Sequence, residues 1–488
     1  MDIHINKSNV TPLYVQLKES IKTLITHGQY RNGDRLPTTR KLAEDLDIHR
    51  NTVIMAYKAL EDEGYAYSHV GRGTFVIEPE NMDKEEEIAF YNMFDWSGHL
   101  SEKLRKRISG KLLTLYQSES NPVRISFVWS QKGSQDFPIK KIQTAINSVI
   151  RNRKWLFEYT RSIGNLELRT IVSHHLHQKG IQVEADEIMI TNGAQQAIDL
   201  IGRLLIEPGE SVVIENPTYT GALTVFQFLQ AKIIGIPVDE WGMKVHLLED
   251  VLIKYRPKFI FTNPTYHNPT GTSMRIDRRE KIVALAEQYQ IPIVEDDYGS
   301  DLQISGPELP LLKSLDISGQ VIYIGTFSKT LIPGMRLGWI AASKEVINLL
   351  AEVKRFNDLC TTPFLQSIVT EFHKRGYMAT YIRYLKRQLT ERRNIMMKAI
   401  QDWFPPETTY IKPHGGVYLW VTVPEYIDLP AVWKDCLKQG VAFSLGRLFY
   451  LDSGGENQMR LRYAYVNKDE IEEGIKIIGD RMRLYSPK

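Results

Sequence analysis

Apolar and polar positions along the first 77 residues predict three helices and a hairpin. In residues 11–27 the apolar side chains recur with the spacing of one helix face. Thr38 is placed to cap a second helix over residues 39–46, and a third is expected over residues 51–63. Two β-prone pieces, residues 65–67 and 74–77, flank a glycine-rich stretch. This order of elements is that of a winged helix-turn-helix, which binds DNA.

From about Val123 onward, short apolar runs alternate with longer helical patterns. Strands alternating with helices predict a mostly parallel sheet, with a ligand site outside the carboxyl ends of the strands. The expected fold is therefore a small N-terminal α+β domain followed in the chain by a large α/β domain. Each predicted strand ends in polar or turn residues; the strands are residues 188–191, 212–214, 259–261, 291–294 and 321–324.

Residues 79–122 differ from both neighbours and predict a linker. An acidic cluster at residues 85–87 precedes a basic cluster within residues 103–111. We expect a tether with some helix over residues 100–116, where the basic residues are better explained by solvation than by contact with flanking DNA. The predicted organisation is a winged-helix domain over residues 1–78, a linker over 79–122 and the large domain over 123–488.

Composition limits the partners. The chain has 488 residues, 43% of them apolar, and a formal net charge of +3, so charge alone implies neither nucleic acid nor membrane. The two cysteines form no disulfide or metal pattern, and no apolar run reaches the length of a membrane span, so we expect a cytoplasmic protein without metal. Residues 1–78 carry ten Lys/Arg and ten Asp/Glu, which favours a dimer on paired DNA half-sites.

Residues 321–340 contain a lysine with the surroundings of a reactive amine. A predicted buried strand runs into hydroxyl residues and Lys329, and Arg336 follows. A lysine becomes nucleophilic when burial or a nearby cation lowers its pKa. Taken alone, such a lysine is most often a surface residue in a turn, so its role depends on the other strand ends.

The other strand ends supply what pyridoxal phosphate requires. A helix that starts after a glycine offers free backbone N–H groups to a phosphate. Asp296 offers a carboxylate to keep the pyridine nitrogen protonated, and Lys329 offers the amine of a Schiff base. The predicted phosphate contacts are Gly193, Ala194, Gln195, Thr326, Ser328 and Arg336. The predicted ring contacts are Tyr219, by stacking, Asp296, and Asn268 and Tyr298, by hydrogen bonds to the phenolate oxygen.

The N-terminal segment resembles the DNA-binding domain of the GntR family. The resemblance is carried by Pro12-Leu13-Tyr14, Leu36-Pro37-Thr38-Thr39-Arg40, Arg50-Asn51-Thr52-Val53 and Gly71-Arg72-Gly73. It implies a recognition helix that opens in the major groove and a wing that reaches the backbone or minor groove. Where some relatives carry arginine, this chain has Ile54, which leaves part of the base readout open. The implied DNA contacts are Arg40, His49, Arg50, Asn51, Thr52 and Arg72.

The remainder resembles the fold-type I aminotransferases of class I and II. The matching pieces include Gly193-Ala194-Gln195-Gln196, Asn268-Pro269-Thr270-Gly271 and Ser328-Lys329. In that family a late arginine binds the substrate α-carboxylate, and Arg460 takes that position here. Arg462 follows closely and leaves open which of the two binds the carboxylate; we expect them to point to opposite faces of a strand.

The two domains in this order are similar to the MocR/GabR class of bacterial transcription regulators. The resemblance implies a homodimer that binds a double-stranded DNA operator and carries pyridoxal phosphate on Lys329 as an internal aldimine. It also implies that an amino acid or amine effector displaces Lys329, forms an external aldimine and alters DNA binding. Residues near Tyr159 are candidates to complete the site of a neighbouring subunit.

Two other functions stay open at this point. One is a working aminotransferase with an appended DNA-binding domain, because the residues for transamination are present. The other is a sensor of pyridoxal phosphate that controls vitamin B6 supply. Arg460 argues against the second, since a sensor of the cofactor alone has no use for a carboxylate-binding arginine.

Overall fold

The computed structural model describes residues 11–26, 29–30, 32–69, 72–77, 123–128, 136–152, 156 and 158–485. The chain divides into two compact units, Met1–Ser109 and Gly110–Lys488. The predicted linker and its expected helix, like Gly71 of the glycine-rich stretch, lie outside the described residues.

The described part of the first unit has the three helices and the hairpin that the apolar pattern predicts. The Thr38 hydroxyl accepts a hydrogen bond from the Lys41 amide at 3.3 Å, as expected of an N-cap. The helices pack through the predicted apolar face, where Val53, Ala56 and Leu60 are fully buried. The elements are α1 Leu13–Thr26, α2 Thr39–Asp45, α3 Arg50–Asp62, β1 Ala66–His69 and β2 Gly73–Val76, with β1 and β2 antiparallel.

An eight-stranded sheet forms the centre of the second unit, in the order β4-β11-β10-β9-β8-β5-β6-β7. All five predicted strands are confirmed, and β5, β6, β8, β9 and β10 run parallel. The antiparallel strand β11 between β4 and β10 was not predicted, nor was β6. The strands are β4 Ile188–Thr191, β5 Ser211–Asn216, β6 Lys232–Asp239, β7 Gly242–Met243, β8 Ile260–Thr262, β9 Ile293–Asp297, β10 Val321–Thr326 and β11 Gly338–Ala341.

Apolar side chains cover both faces of this sheet, which explains why its strands are continuous apolar runs. Ile322 and Ile324 of β10 pack into a cluster of buried apolar side chains on one face of the sheet. Val321 packs into a separate apolar cluster on the other face. The helices of this half are α4 Ile139–Asn152, α5 Leu166–Gln178, α6 Ala194–Leu205, α7 Thr220–Phe228, α8 Leu248–Tyr255, α9 Ile276–Tyr289, α10 Leu312–Leu315 and α11 Lys344–Asp358.

A second sheet, in the order β12-β13-β16-β15, was not predicted. Its strands are short, and β16 has the sequence Gln-Met-Arg-Leu-Arg, whose polar positions hide the strand from an apolar pattern. The pair β3 Ile125–Ser126 and β14 Val441–Ala442 joins the start of this unit to its end. The remaining elements are α12 Pro363–Lys374, α13 Tyr377–Trp403, β12 Thr409–Tyr410, β13 Tyr418–Thr422, α14 Leu429–Lys438, β15 Ser444–Leu445, β16 Gln458–Arg462 and α15 Lys468–Leu484.

A buried arginine holds together the loop that follows β8. Arg279, fully buried on α9, donates to the carbonyl oxygens of Pro264 and Met274, both at 2.7 Å. It also donates to the Pro310 carbonyl at 2.9 Å. The loop between Pro264 and Met274 contains Asn268, so this arginine fixes the backbone that carries a predicted site residue.

We expect Arg279→Met to destabilise the protein by about 3 kcal/mol or more, because each buried carbonyl left without a donor costs roughly 1–3 kcal/mol. Chemical unfolding followed by circular dichroism measures the change. Arg275→Met is the control: Arg275 is exposed and pairs with Asp277 at 2.6 Å, and an ion pair in water contributes little to stability. Equal effects of the two substitutions would contradict this account of the loop.

Candidate functional site

Lys329 lies in the turn that follows the carboxyl end of β10. The Thr326 hydroxyl donates to the Leu337 carbonyl at 3.2 Å and accepts the Ser328 amide at 3.1 Å, which shapes the turn. The Tyr465 hydroxyl donates to the Lys329 carbonyl at 3.1 Å. The backbone of the lysine is therefore held from both sides.

The surroundings of Lys329 favour its neutral amine. The Tyr418 phenol acts to raise the pKa of Lys329, but burial and the positive charges of Arg462, Arg460 and Arg336 outweigh it, so the pKa is lowered. A neutral amine is the form that attacks a carbonyl carbon. The site therefore holds its lysine ready to form an imine.

Asp296, near the end of β9, is a buried carboxyl group aimed at the same space. Strands β9 and β10 are parallel neighbours, and Asp296 pairs in register with Ile324. Its Oδ1 atom has no hydrogen-bond partner within the described ranges. Burial, aided by the negative charges of Asp297 and Glu215, raises the pKa of Asp296 to about 7. A buried acid without a donor fits a ligand that brings a ring N–H.

The start of α6 forms a seat for an anion. Gly193 precedes the helix with φ of 83°, a conformation that favours glycine, and no side chain caps the helix. A Cβ atom on Gly193 would lie 2.8 Å from Nη2 of Arg336, so only glycine leaves room for that guanidinium. Arg336 also reaches the Ser328 hydroxyl at 3.5 Å. Free N–H groups, a hydroxyl and a guanidinium thus meet at one point.

Hydrogen bonds orient the predicted ring contacts. The Tyr219 hydroxyl donates to Oε1 of Gln195 at 3.0 Å, and Gln195 in turn donates to the Gly221 carbonyl at 3.0 Å. The Tyr298 hydroxyl donates to the Tyr266 carbonyl. Asn268 accepts from Nη1 of Arg460 at 2.7 Å, which links the ring contacts to the arginine expected to bind a carboxylate.

The expectation that Arg460 and Arg462 point to opposite faces of a strand is wrong. Both are on β16, two positions apart, and side chains alternate along a strand, so residues at this spacing share a face. Both are buried, and both positive charges act on Lys329 and Tyr418. Strand β16 therefore contributes two arginines to the site where one was expected.

Tyr418 is a site residue that the sequence did not reveal. It lies opposite Arg462 on the paired strand β13, and the Arg460 guanidinium lies 4.3 Å from its ring centre. Burial acts to raise the pKa of the Tyr418 phenol, but Lys329, Arg460 and Arg462 outweigh it and lower the pKa to about 8. Only the pairing of β13 with β16 brings this tyrosine to the lysine, and no local signal predicts that pairing.

A second undetected group is Glu215 at the end of β5. Its carboxylate accepts the Thr262 hydroxyl at 2.9 Å and the Asn263 amide at 2.8 Å. The Asn263 side chain accepts the Asn268 amide at 2.7 Å and donates to the Asp296 carbonyl. Glu215 thereby fixes two predicted site residues through one asparagine.

The residues present fit pyridoxal phosphate. The unpartnered Asp296 oxygen suits the pyridine N–H, the uncapped start of α6 suits the phosphate, and Lys329 suits the aldehyde carbon. The fold and this site define a pyridoxal phosphate-binding protein of fold type I, joined in one chain to a winged-helix unit.

Helix α3 of the first unit has an exposed side that carries both polar and apolar side chains. His49 caps this helix by accepting the Asn51 amide at 3.3 Å, and Arg50 donates to the Thr39 hydroxyl at 3.3 Å. Of the six predicted DNA contacts, all but the half-buried Thr52 are exposed. The exposed residues of α3 include Arg50, Asn51, Ile54, Met55 and Lys58.

Comparison with known proteins supports the fold described for both units. Residues 130–478 match the family model "Aminotransferase class I and II", and residues 13–76 match "Bacterial regulatory proteins, gntR family". The chain therefore belongs to the class I and II aminotransferase family and carries an N-terminal GntR domain, which binds DNA. Pyridoxal phosphate is the cofactor of this family. No helix in the described residues is long and apolar enough to cross a membrane.

The relatives include regulators and enzymes. An uncharacterized HTH-type transcriptional regulator, YdfD of Bacillus subtilis, is 31% identical over 97% of each chain. The probable rhizopine catabolism regulatory protein MocR of Rhizobium meliloti is 29% identical over 95% of this chain and 92% of its own. The crystal structure of LysN, the alpha-aminoadipate aminotransferase of Thermus thermophilus, complexed with N-(5'-phosphopyridoxyl)-L-leucine, has a TM-score of 0.74 at 28% identity. It covers 80% of this chain and 99% of its own. The resemblance to MocR-type regulators is thus confirmed over the whole length.

We expect Asp296→Asn to stabilise the cofactor-free protein at pH 8 and to have little effect near pH 4. The raised pKa of Asp296 means that the folded state prefers the protonated acid, so this group's contribution to stability falls as pH rises from about 4 to 7. At about 1.4 kcal/mol per pKa unit, the gain at pH 8 is at most about 4 kcal/mol. Thermal unfolding at both pH values measures it.

The matched control is Asp277→Asn, because the hydrogen bond from Arg275 lowers the pKa of exposed Asp277 to about 2. Its effect is expected to be the same at pH 5 and pH 8. The same Asp296→Asn variant should bind pyridoxal phosphate more weakly, since the ring N–H loses its carboxylate. A pH-independent effect of Asp296→Asn would contradict the buried acid described here.

Proposed function

We propose that this protein is a transcription regulator in which an amino acid or amine binds at the Lys329 site and changes DNA binding. The observation that carries the proposal is the presence, in one chain, of a DNA-binding unit and a site equipped to take an amine. When bound, pyridoxal phosphate supplies an aldehyde carbon that condenses reversibly with amines. Lys329 is the resident amine in this proposal, and the effector replaces it.

The residues around Lys329 support an effector with a carboxylate. Arg460 is buried beside Asn268 and Tyr418, and its Nε atom has no hydrogen-bond partner in the described part of the chain. A carboxylate would satisfy that N–H and balance the charge. Arg460 therefore serves to bind and orient the effector, and Lys329, once displaced, is an amine with a lowered pKa that can take up or release a proton. LysN, similar in fold, is an alpha-aminoadipate aminotransferase.

The exposed side of α3 supports readout of the major groove. Arg50 and Asn51 lie at the start of this helix and suit hydrogen bonds to phosphate or base edges. Ile54 and Met55, 42% and 52% exposed, lie one turn further on. Apolar side chains at such a position contact thymine methyl groups, which offers a role for the isoleucine found where some relatives have arginine.

A second copy of this chain completes the proposal. A groove of about 1020 Å³ is lined by residues 159–163 and the exposed side of α11. It includes Tyr159, 86% exposed, together with Leu349 and Leu359, both at least half exposed. Exposed apolar side chains in one groove are typical of an interface. A homodimer in the cytoplasm, with the region of Tyr159 against the neighbouring site, would cover them.

The active aminotransferase stays the second candidate, because Lys329, Asp296 and Arg460 are the groups that transamination requires. A sensor of pyridoxal phosphate alone leaves the buried arginines without a ligand and is disfavoured for that reason. Measuring turnover with an amino acid and a 2-oxo acid separates the first two: many cycles per site would contradict the regulator.

Titration of the holoprotein with L- and D-amino acids and amines is expected to reveal one class that shifts the visible absorbance and, at the same concentration, changes DNA affinity. In Lys329→Ala the absorbance of the lysine-bound cofactor should be lost and the DNA response abolished or greatly reduced. Lys398→Ala, an exposed lysine of α13 paired with Asp402, is the control and should behave as wild type. A DNA response that persists unchanged in Lys329→Ala would refute the proposal.

Arg50→Ala is expected to weaken binding to DNA fragments selected by the wild-type protein, because it removes a cationic donor from the exposed side of α3. A lost phosphate contact should lower the slope of log affinity against log salt by about 0.9, whereas a lost base contact should cost roughly 1–3 kcal/mol and relax sequence preference. Arg203→Ala, an exposed arginine of α6, is the control. Unchanged DNA affinity in Arg50→Ala would contradict the assignment of α3 as the recognition helix.

A further inference from the structure

Strand β16 places two buried guanidinium groups on one face beside Lys329. Arg460 is 8% exposed and Arg462 is 5% exposed. Burying a charge is costly unless an opposite charge or several hydrogen bonds compensate it. The two arginines differ in the groups that compensate their charge in the folded chain.

Arg460 has several contacts. Its Nη1 donates to Asn268 at 2.7 Å, and its Nη2 donates to the Ser444 hydroxyl at 3.3 Å. The guanidinium also lies 4.3 Å from the ring centre of Tyr418 and 4.7 Å from that of Phe449. Its Nε has no hydrogen-bond partner in the described residues and is therefore available to one carboxylate.

Arg462 has fewer contacts than Arg460. Both Nε and Nη2 are buried without a hydrogen-bond partner in the described residues. Its guanidinium lies 5.0 Å from the ring centre of Tyr465. Asp136, whose charge acts on the same tyrosine, is already bound by Arg392 at 2.8 Å and by the Tyr384 hydroxyl at 3.2 Å. Within the described residues no carboxylate pairs with Arg462, and the nearby acidic group is the Tyr418 phenol, which Lys329 and Arg460 share and whose pKa is about 8.

The cofactor and a simple amino acid do not supply an anion for Arg462. In the proposed site the phosphate lies at the start of α6 with Arg336, and the pyridine N–H faces Asp296. The α-carboxylate lies on Arg460. Arg462 would stay unpaired with any effector that carries a single carboxylate, although it lies on the same face as Arg460.

We propose that the effector carries two anionic groups, and that Arg460 binds one while Arg462 binds the other. The inference rests on the proposed effector site and narrows its ligand to acidic amino acids. The backbones of residues two apart on a strand are about 7 Å apart, so the two arginines extend from positions whose separation is similar to the length of a short dicarboxylic acid. The amino group of the same molecule would then lie toward Lys329, the amine that it replaces.

Matched ligand pairs test the second anion. The holoprotein is titrated with L-glutamate and L-glutamine, and with L-aspartate and L-asparagine, and the visible absorbance is recorded. A charge-assisted pair in a buried site predicts that the acid of at least one pair binds about ten- to a hundredfold more tightly than its amide. Glutarate and valerate, which have no amino group, should show the same preference by calorimetry.

Variants of Arg462 assign the preference to this residue. In Arg462→Gln the ratio of dissociation constants, amide over acid, should fall to about one, whereas Arg462→Lys should keep part of it. Arg483→Gln, an exposed arginine of α15, is the control and should keep the wild-type ratio. Because Nε and Nη2 of Arg462 have no hydrogen-bond partner and no carboxylate pairs with it among the described residues, Arg462→Gln should also not lower the melting temperature. A structural arginine would lower it.

The outcomes separate this inference from the proposed function. If amides bind as tightly as acids in both pairs, or if Arg462→Gln weakens acid and amide equally, the second anion is refuted while the regulator stands. If no amino acid, acidic or neutral, changes the absorbance or DNA binding, the proposed function itself fails. A preference for an acid that disappears in Arg462→Gln and survives in part in Arg462→Lys supports the inference.

Discussion

The carboxyl edge of the parallel sheet holds charged groups away from water, and much of the second unit serves that constraint. Burying Lys329, Asp296 and the two arginines of β16 is costly, and in the described residues some polar atoms of Asp296 and of both arginines have no hydrogen-bond partner. Burial moves the pKa of the lysine down and that of Asp296 up, so both tend toward their neutral forms. The site is therefore prepared for a ligand that brings a carbonyl carbon, a ring N–H and negative charge.

Support for this edge comes from buried polar side chains set behind it. Arg279 closes the loop that carries Asn268, and Glu215 holds Asn263, which reaches both Asn268 and Asp296. Residues that touch a ligand need such support, because a small displacement of a binding group lowers its contribution. The polar residues of this layer are as buried as the apolar core around them.

The two sheets of the second unit contribute different groups to the site. The large sheet contributes the groups suited to the cofactor, since Asp296 lies next to the last residue of β9 and Lys329 follows the end of β10. The small sheet contributes Tyr418, which lies beside Lys329, and also Arg460 and Arg462, which bind the carboxylates of the effector in the proposed function. Changes of effector in a chain of this kind can therefore arise on β13 and β16 without altering the cofactor site. Coupling to DNA requires only that the ligand bind two states of the protein with different affinity.

The sequence by itself determined the helices and hairpin of the first unit, the five core strands and the chemistry at their ends. Those features depend on local periodicity, capping and turn residues, which are written in short stretches such as Thr38 and residues 321–340. The tertiary structure decided the pairing of β13 with β16, which brings Tyr418 to Lys329 and places Arg460 and Arg462 on one face. That pairing joins residues about 40 positions apart through strands of five residues. Its polar positions are buried by the fold and carry no apolar signal, so the sequence named both arginines but only the fold showed that they share one face of a strand.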